Sequence, residues 1–159
     1  MKRIILFAIC VVFALATKAQ TNIEELKYLQ TVFGMEKKEL VKERMKISEA
    51  DAANFWKLYE EYELYRSEII DRRGENIQQY TENYTNITDA KAAELLKNTF
   101  EINNELNKLW QKTYNTMAKE LSPVKAGQFI YLEMYFEGLG RVKLSEAIPH
   151  IGAIEPIKK

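Results

Sequence analysis

Of 159 residues, one is cysteine and one is histidine. Cys10 stands alone in an apolar run, so no disulfide can form within the chain and stability has to come from burial. His150 is equally isolated. Zinc and copper sites draw on several His or Cys ligands at set spacings, and di-iron bundles on Glu-x-x-His pairs, so neither centre can be assembled. His-Glu-x-x-His, Gly-x-Ser-x-Gly, Gly-x-x-x-x-Gly-Lys and Cys-x-x-Cys are all missing. The expectation is a protein without cofactor, metal or catalytic residues, and not an enzyme. Carboxylates do cluster, as in Glu60-Glu61-Tyr62-Glu63, but such a run on a helix reads as a solvated face. Strand patterning is missing too: β-branched residues are scattered and alternation is never sustained.

Long hydrophobic runs are scarce. Lys2 and Arg3 precede an apolar stretch from Ile4 to Ala16, and Thr17-Lys18-Ala19 supplies small residues before Gln20. Its 13 residues fall short of the roughly 20 that span a bilayer, so the pattern predicts a signal peptide over residues 1–19. A helical domain over 20–140 and an irregular tail over 141–159 follow, the tail carrying Pro149, Gly152 and Pro156. Three of the 23 basic residues leave with the leader, so 20 face 23 acidic ones, a net charge near −3. No basic surplus points to nucleic acid or anionic lipid. The expected location is the periplasm, with no membrane insertion after cleavage.

What the chain has in quantity is helical periodicity. A first helix is expected from Ile23 to Lys46, with a bend at Gly34. A second runs from Glu49 to about Tyr84, loosening at Gly74, with Ala52, Phe55, Tyr59, Tyr62, Ile69 and Ile70 on its inner face. Thr88 reads as the cap of a third helix, which reaches Leu121 without glycine or proline. Ser122 caps a fourth, with Pro123 in its first turn and a stop at Gly138-Leu139-Gly140.

Two helix starts are near copies, 74 residues apart. Ile47, Ser48, Asp51 and Phe55 in the first match Leu121, Ser122, Lys125 and Phe129 in the second. Each copy is an apolar residue, a serine cap and, two turns on, a phenylalanine anchor; Asp51 sits where a carboxylate meets free backbone N–H groups.

The third and fourth helices carry more apolar surface than one bundle absorbs. Ala93, Leu96, Phe100, Trp110, Tyr114, Met117 and Leu121 form a heptad seam on the third. Leu95, Ile102, Leu106 and Leu109 add a second stripe about a quarter turn away. On the fourth, apolar side chains surround the helix and leave Glu133 and Glu137 as a narrow polar strip. The excess predicts a second burial surface, most simply another copy of the chain, although the tail is an alternative cover.

At the twin motif the chain resembles the Spy/CpxP-like family of small periplasmic proteins, marked by two Leu-Thr-x-x-Gln motifs at helix starts. Here the copies read Ile47-Ser48-Glu49-Ala50-Asp51 and Leu121-Ser122-Pro123-Val124-Lys125, with Asp51 and Lys125 in place of the glutamine. The resemblance implies an all-α fold of four long helices, bent into helical hairpins and clasped as an interlocked antiparallel dimer. It also implies either an ATP-independent chaperone that holds unfolded envelope proteins, or a regulatory module that binds a sensor kinase or an anti-sigma pathway. Trp56, Tyr62, Leu64, Tyr65, Trp110, Tyr135 and Phe136 are the candidate contacts for a client or a second subunit.

Overall fold

The computed structural model describes residues 37–148, and within them the chain is helical apart from short connections. It divides after Leu40 into two units, of which the second, from Val41 onward, carries the features discussed below. Residues 37–45 are helical (α1). Helix α2 spans Glu49–Asn83, α3 Asp89–Glu120 and α4 Pro123–Ala147. No strand occurs among the described residues. The expected leader, the start of the first helix, Gly34, His150 and the tail beyond 148 lie outside the described residues.

Each boundary has a local cause. Helix α1 stops at Met45 because Lys46 adopts a positive φ of 43°, the left-handed turn that ends many helices. A 3-10 turn at Tyr84–Asn86 leads to Thr88, whose hydroxyl oxygen accepts from the Lys91 amide at 3.2 Å. Between α3 and α4 only Leu121 and Ser122 intervene, and Ser122 Oγ accepts from the Lys125 amide at 3.2 Å. With connections this short, α2 and α4 both run antiparallel to α3, and so parallel to each other.

Three expectations need correcting. Ser48 holds the N-cap position of α2, but its side chain does not cap: the hydroxyl donates to Asp51 Oδ2 at 2.6 Å. Helix α2 passes Gly74 unbroken. Helix α4 runs seven residues past its expected stop, through Gly138 and Gly140 to Ala147, so 141–147 are not irregular. Two interior glycines cost about 2 kcal/mol of helix stability. Arg141 binds across them, donating to Glu137 on its own helix at 2.8 Å and to Asn103 of α3 at 2.8 Å.

Burial sorts the two stripes of α3. Leu95, Ile102, Leu106 and Leu109 of the second stripe are all buried, whereas of the heptad seam Leu96 and Phe100 are exposed and Met117, near the end of the helix, is buried. The second stripe is therefore the core face. Phe55, Tyr59, Tyr62 and Ile69 of α2 are buried with it, and Ala126, Phe129, Ile130 and Phe136 come from α4. Helix α4 overturns the remaining expectation. Glu133 and Glu137 are not a solvent strip; they are 2% and 8% exposed, while Tyr131 is 79% and Tyr135 61% exposed. Counting from Phe129 explains it: positions 126, 129, 133 and 136/137 share one face at 3.6 residues per turn, so an inward Phe129 puts both acids inward.

Candidate functional site

The two copies of the helix-start motif meet. Parallel α2 and α4 bring them side by side in register: Lys125 Nζ binds Asp51 Oδ2, and the Phe55 and Phe129 rings pack edge to face at 5.8 Å. Asp51 and Lys125 occupy the same motif position, so opposite charges there join one copy to the other. Hydrogen bonds from Lys125 and then Ser48 hold the Asp51 carboxyl below its usual range.

One turn deeper the contacts become aromatic. Phe129 lies against Tyr59 and Tyr62, with centroids 6.0 and 5.3 Å away, and Trp56 meets Tyr59 at 5.4 Å. Edge-to-face pairs of this kind add about 0.5–1.5 kcal/mol each to the burial of the rings. The motif is thus a clasp, with a charged pair at the rim and rings beneath.

Below the rings sits a buried polar ladder. Tyr62 Oη donates to Glu133 Oε2 at 2.7 Å and accepts from Trp110 Nε1 at 3.1 Å. Arg66 Nε lies 3.7 Å from the same carboxylate oxygen and also reaches Glu63. Further along, Arg73 and Arg141 both bind Glu137 Oε1 at 2.8 Å. The guanidiniums of Arg66 and Arg73 from α2 therefore meet two carboxylates from α4 where isolated charges would be costly, with the half-exposed Arg141 at the edge. Burial, with the Glu133 charge second, pushes the Tyr62 phenol well up, so it stays protonated and keeps donating. Burial alone would lower Arg66, but Glu63, Tyr62 and the two buried glutamates outweigh it and leave it raised. Arg73 goes the other way, since burial exceeds what Glu137 returns. The ladder ties helices together; it presents no activated nucleophile.

The anticipated contact residues fall into two groups. Tyr62, expected on the inner face of α2, and Phe136 are core, 2% and 3% exposed, so neither is open to a client. Trp56 and Trp110 are half-buried, the latter donating to Tyr62. Leu64, Tyr65 and Tyr135 are exposed. Glu133, Glu137, Arg66, Arg73 and Arg141 were not anticipated as a unit. The signal for the first two was present in the Phe129 register, but nothing in the local sequence tells which arginines reach across.

Two hollows accompany these elements. One of about 180 Å³ lies between α2 and α3 among Arg72, Glu75, Asn76, Gln79, Asn98 and Glu101. The other, of about 20 Å³, is bordered by Leu58, Glu61, Tyr65, Leu109 and Lys112. Among the described residues there is no group of three metal-ligating side chains, and no helix is long and apolar enough to cross a membrane. No family model, curated protein or solved structure matches the chain.

Proposed function

We propose that the protein is an exported, non-enzymatic holding protein of the Spy/CpxP-like kind, which binds unfolded segments of envelope proteins without nucleotide. The observation that carries this reading is the outer face of α2. There Leu64 is 61% and Tyr65 42% exposed, with the Lys112 ammonium 4.7 Å over the Tyr65 ring and the exposed acids Glu60, Glu61 and Glu68 around them. Apolar contact amid charge suits weak, unselective capture of unfolded chain while keeping the free protein soluble. Neither hollow approaches the about 300–1,000 Å³ of a small-molecule pocket, which favours binding a chain over turning over a substrate. The periplasm is the setting because the leader over residues 1–19 reads as one that is cleaved.

The test is aggregation of several unrelated denatured proteins, followed by light scattering in the presence of the chain lacking residues 1–19. Suppression at near-stoichiometric amounts is expected, without nucleotide. Replacing Leu64 and Tyr65 by serine should weaken it while helical circular dichroism is unchanged. No suppression with any client rejects the proposal.

A further inference from the structure

Helix α4 is turned the opposite way from a surface helix: its acids face in and its large apolar side chains face out. Val124, Tyr131, Met134, Tyr135, Leu139 and Val142 are 70, 79, 46, 61, 39 and 54% exposed. With about 200 Å² per tyrosine, Tyr131 and Tyr135 leave roughly 280 Å² open. The four aliphatic side chains add about as much again, which brings the patch to the upper end of what a soluble monomer exposes. At 3.6 residues per turn, Val142, Gly138, Tyr135, Tyr131 and Val124 fall within about 60° of one line along the helix. From Gly127 to Leu139 the only charged residues are Glu133 and Glu137, and both are turned inward. The line is therefore an uncharged strip, notched at Gly138, where an added side chain would meet nothing within 4 Å.

The sequence that follows α4 carries a matching pattern. Ile148, Ile151, Ile154 and Ile157 recur at every third residue, among Pro149, Gly152 and Pro156. Period three belongs to neither an α-helix nor a strand; it is that of polyproline II, which sets all four on one edge. Ile148 has already left the helix, with φ −109° and ψ 143°, the extended backbone favoured before proline. Pro149 then holds the second position of Ile148-Pro149-His150-Ile151, where proline promotes a β-turn.

We infer that residues 149–159 turn back at Pro149 and lie along the outer strip of α4 as a polyproline-II segment, with the isoleucines against the tyrosines. The lengths agree. Ile151 to Ile157 spans about 19 Å at 3.1 Å per residue, and Val142 to Tyr131 about 17 Å at 1.5 Å per residue. Ile151 thus falls at Val142, Ile154 over the notch at Gly138, and Ile157 at Tyr131. Aromatic strips suit polyproline II because such a segment is extended beforehand and loses little freedom on docking. Glu155 and Lys158 share a different edge, so neither charge is carried onto the strip. The tether favours this occupant over a second copy, since a segment joined to α4 by a few residues is present at millimolar effective concentration. The contact leaves the outer face of α2 open for clients and stands apart from the holding proposal.

The test is disulfide closure in the chain lacking residues 1–19, which has no cysteine of its own once Cys10 is gone. Gly138→Cys paired with Ile154→Cys should close at least tenfold faster than Gly140→Cys paired with Ile154→Cys, at a rate independent of protein concentration. Both glycines are open, and they lie two residues and about 200° apart on α4, so a segment with no preferred seat would reach either. Ile151→Ser with Ile157→Ser should slow the first closure at least tenfold, whereas Lys158→Ser should leave it unchanged. Equal closure at the two glycines, a rate unmoved by the serine substitutions, or disulfides formed only between chains would each overturn the inference. The last result would give the strip to a second copy. No client is present in these reactions, so this inference and the holding proposal can each fail alone.

Discussion

The two ends of α2 are held by different physics. Near its start, Phe55, Tyr59 and Tyr62 are at most 3% exposed and surround Phe129 of α4. Toward its end the partner is α3, and beside the buried Tyr80 and Leu95 the contacts are largely polar. Arg72 binds Glu105 through two nitrogens, and Asn76 donates to the Leu95 carbonyl at 3.1 Å and to Thr99 Oγ1 at 3.0 Å. Asn98 returns a bond to Asn76 at 3.2 Å. Burial is the large favourable term in folding, and half-exposed ion pairs contribute little. The first end therefore supplies stability, while the second sets the register of the hairpin. Hydrogen exchange should reach the amides around Asn76 before those around Phe55, because polar, open contacts unfold locally first.

The comparison breaks most easily at Phe129. Removing its ring takes a partner from three others at once, so Phe129→Ala should cost about 3–5 kcal/mol in urea unfolding. A loss below about 1 kcal/mol would mean the ring cluster is not the anchor. Next comes the ladder. Glu133→Gln keeps an acceptor for Tyr62 but removes the charge facing Arg66, and breaking a buried pair in this way should cost about 3 kcal/mol. Tyr62→Phe deletes one phenol that serves both Glu133 and Trp110 and should cost about 1–3 kcal/mol.

Helix existence and the inner face of α2 could be read from the chain because both rest on local periodicity. Phe55, Tyr59, Tyr62 and Ile69 repeat with the helix and are all buried. The serine caps were half legible. Ser122 behaves as its position suggests, whereas Ser48 turns its proton to Asp51, whose carboxylate also accepts from Lys125, 74 residues further along the chain than Asp51. The end of α4 was misread as well. Gly138 and Gly140 are local stop signals, yet α4 runs on to Ala147, with Arg141 reaching Asn103 on another helix. The buried acids show the limit most clearly. A glutamate among aromatics looks like the wet edge of a helix, and only partners from α2, Arg66 and Arg73, make it cheaper inside.

At the polar end the effects shrink and separate. Asn76→Ala removes two donors and one acceptor from half-buried surroundings and should cost about 1 kcal/mol. Arg72→Ala should cost only about 0.5 kcal/mol or less, since its side chain is 47% exposed and that of Glu105 42%. If Arg72 proved more costly than Phe129, the division between the two ends would be reversed.

The smallest effect is a dependence on pH at the rim of the clasp. Asp51 has its carboxyl held down by Lys125 and Ser48, so the folded chain binds this proton less readily than the unfolded chain. A depressed carboxylate contributes stability that is fully present above its unfolded value and fades as pH falls through the folded one. The stability difference between the chain and its Asp51→Asn variant should therefore be constant from about pH 5 upward and narrow below about pH 4. Salt should narrow it at neutral pH as well, because both partners reach solvent, their side chains about one-third exposed. Urea unfolding of the two proteins at several pH values reads this directly. A difference that widened in acid would mean that Asp51 is not ionised against Lys125, and that the two copies of the motif are joined only by their phenylalanine rings.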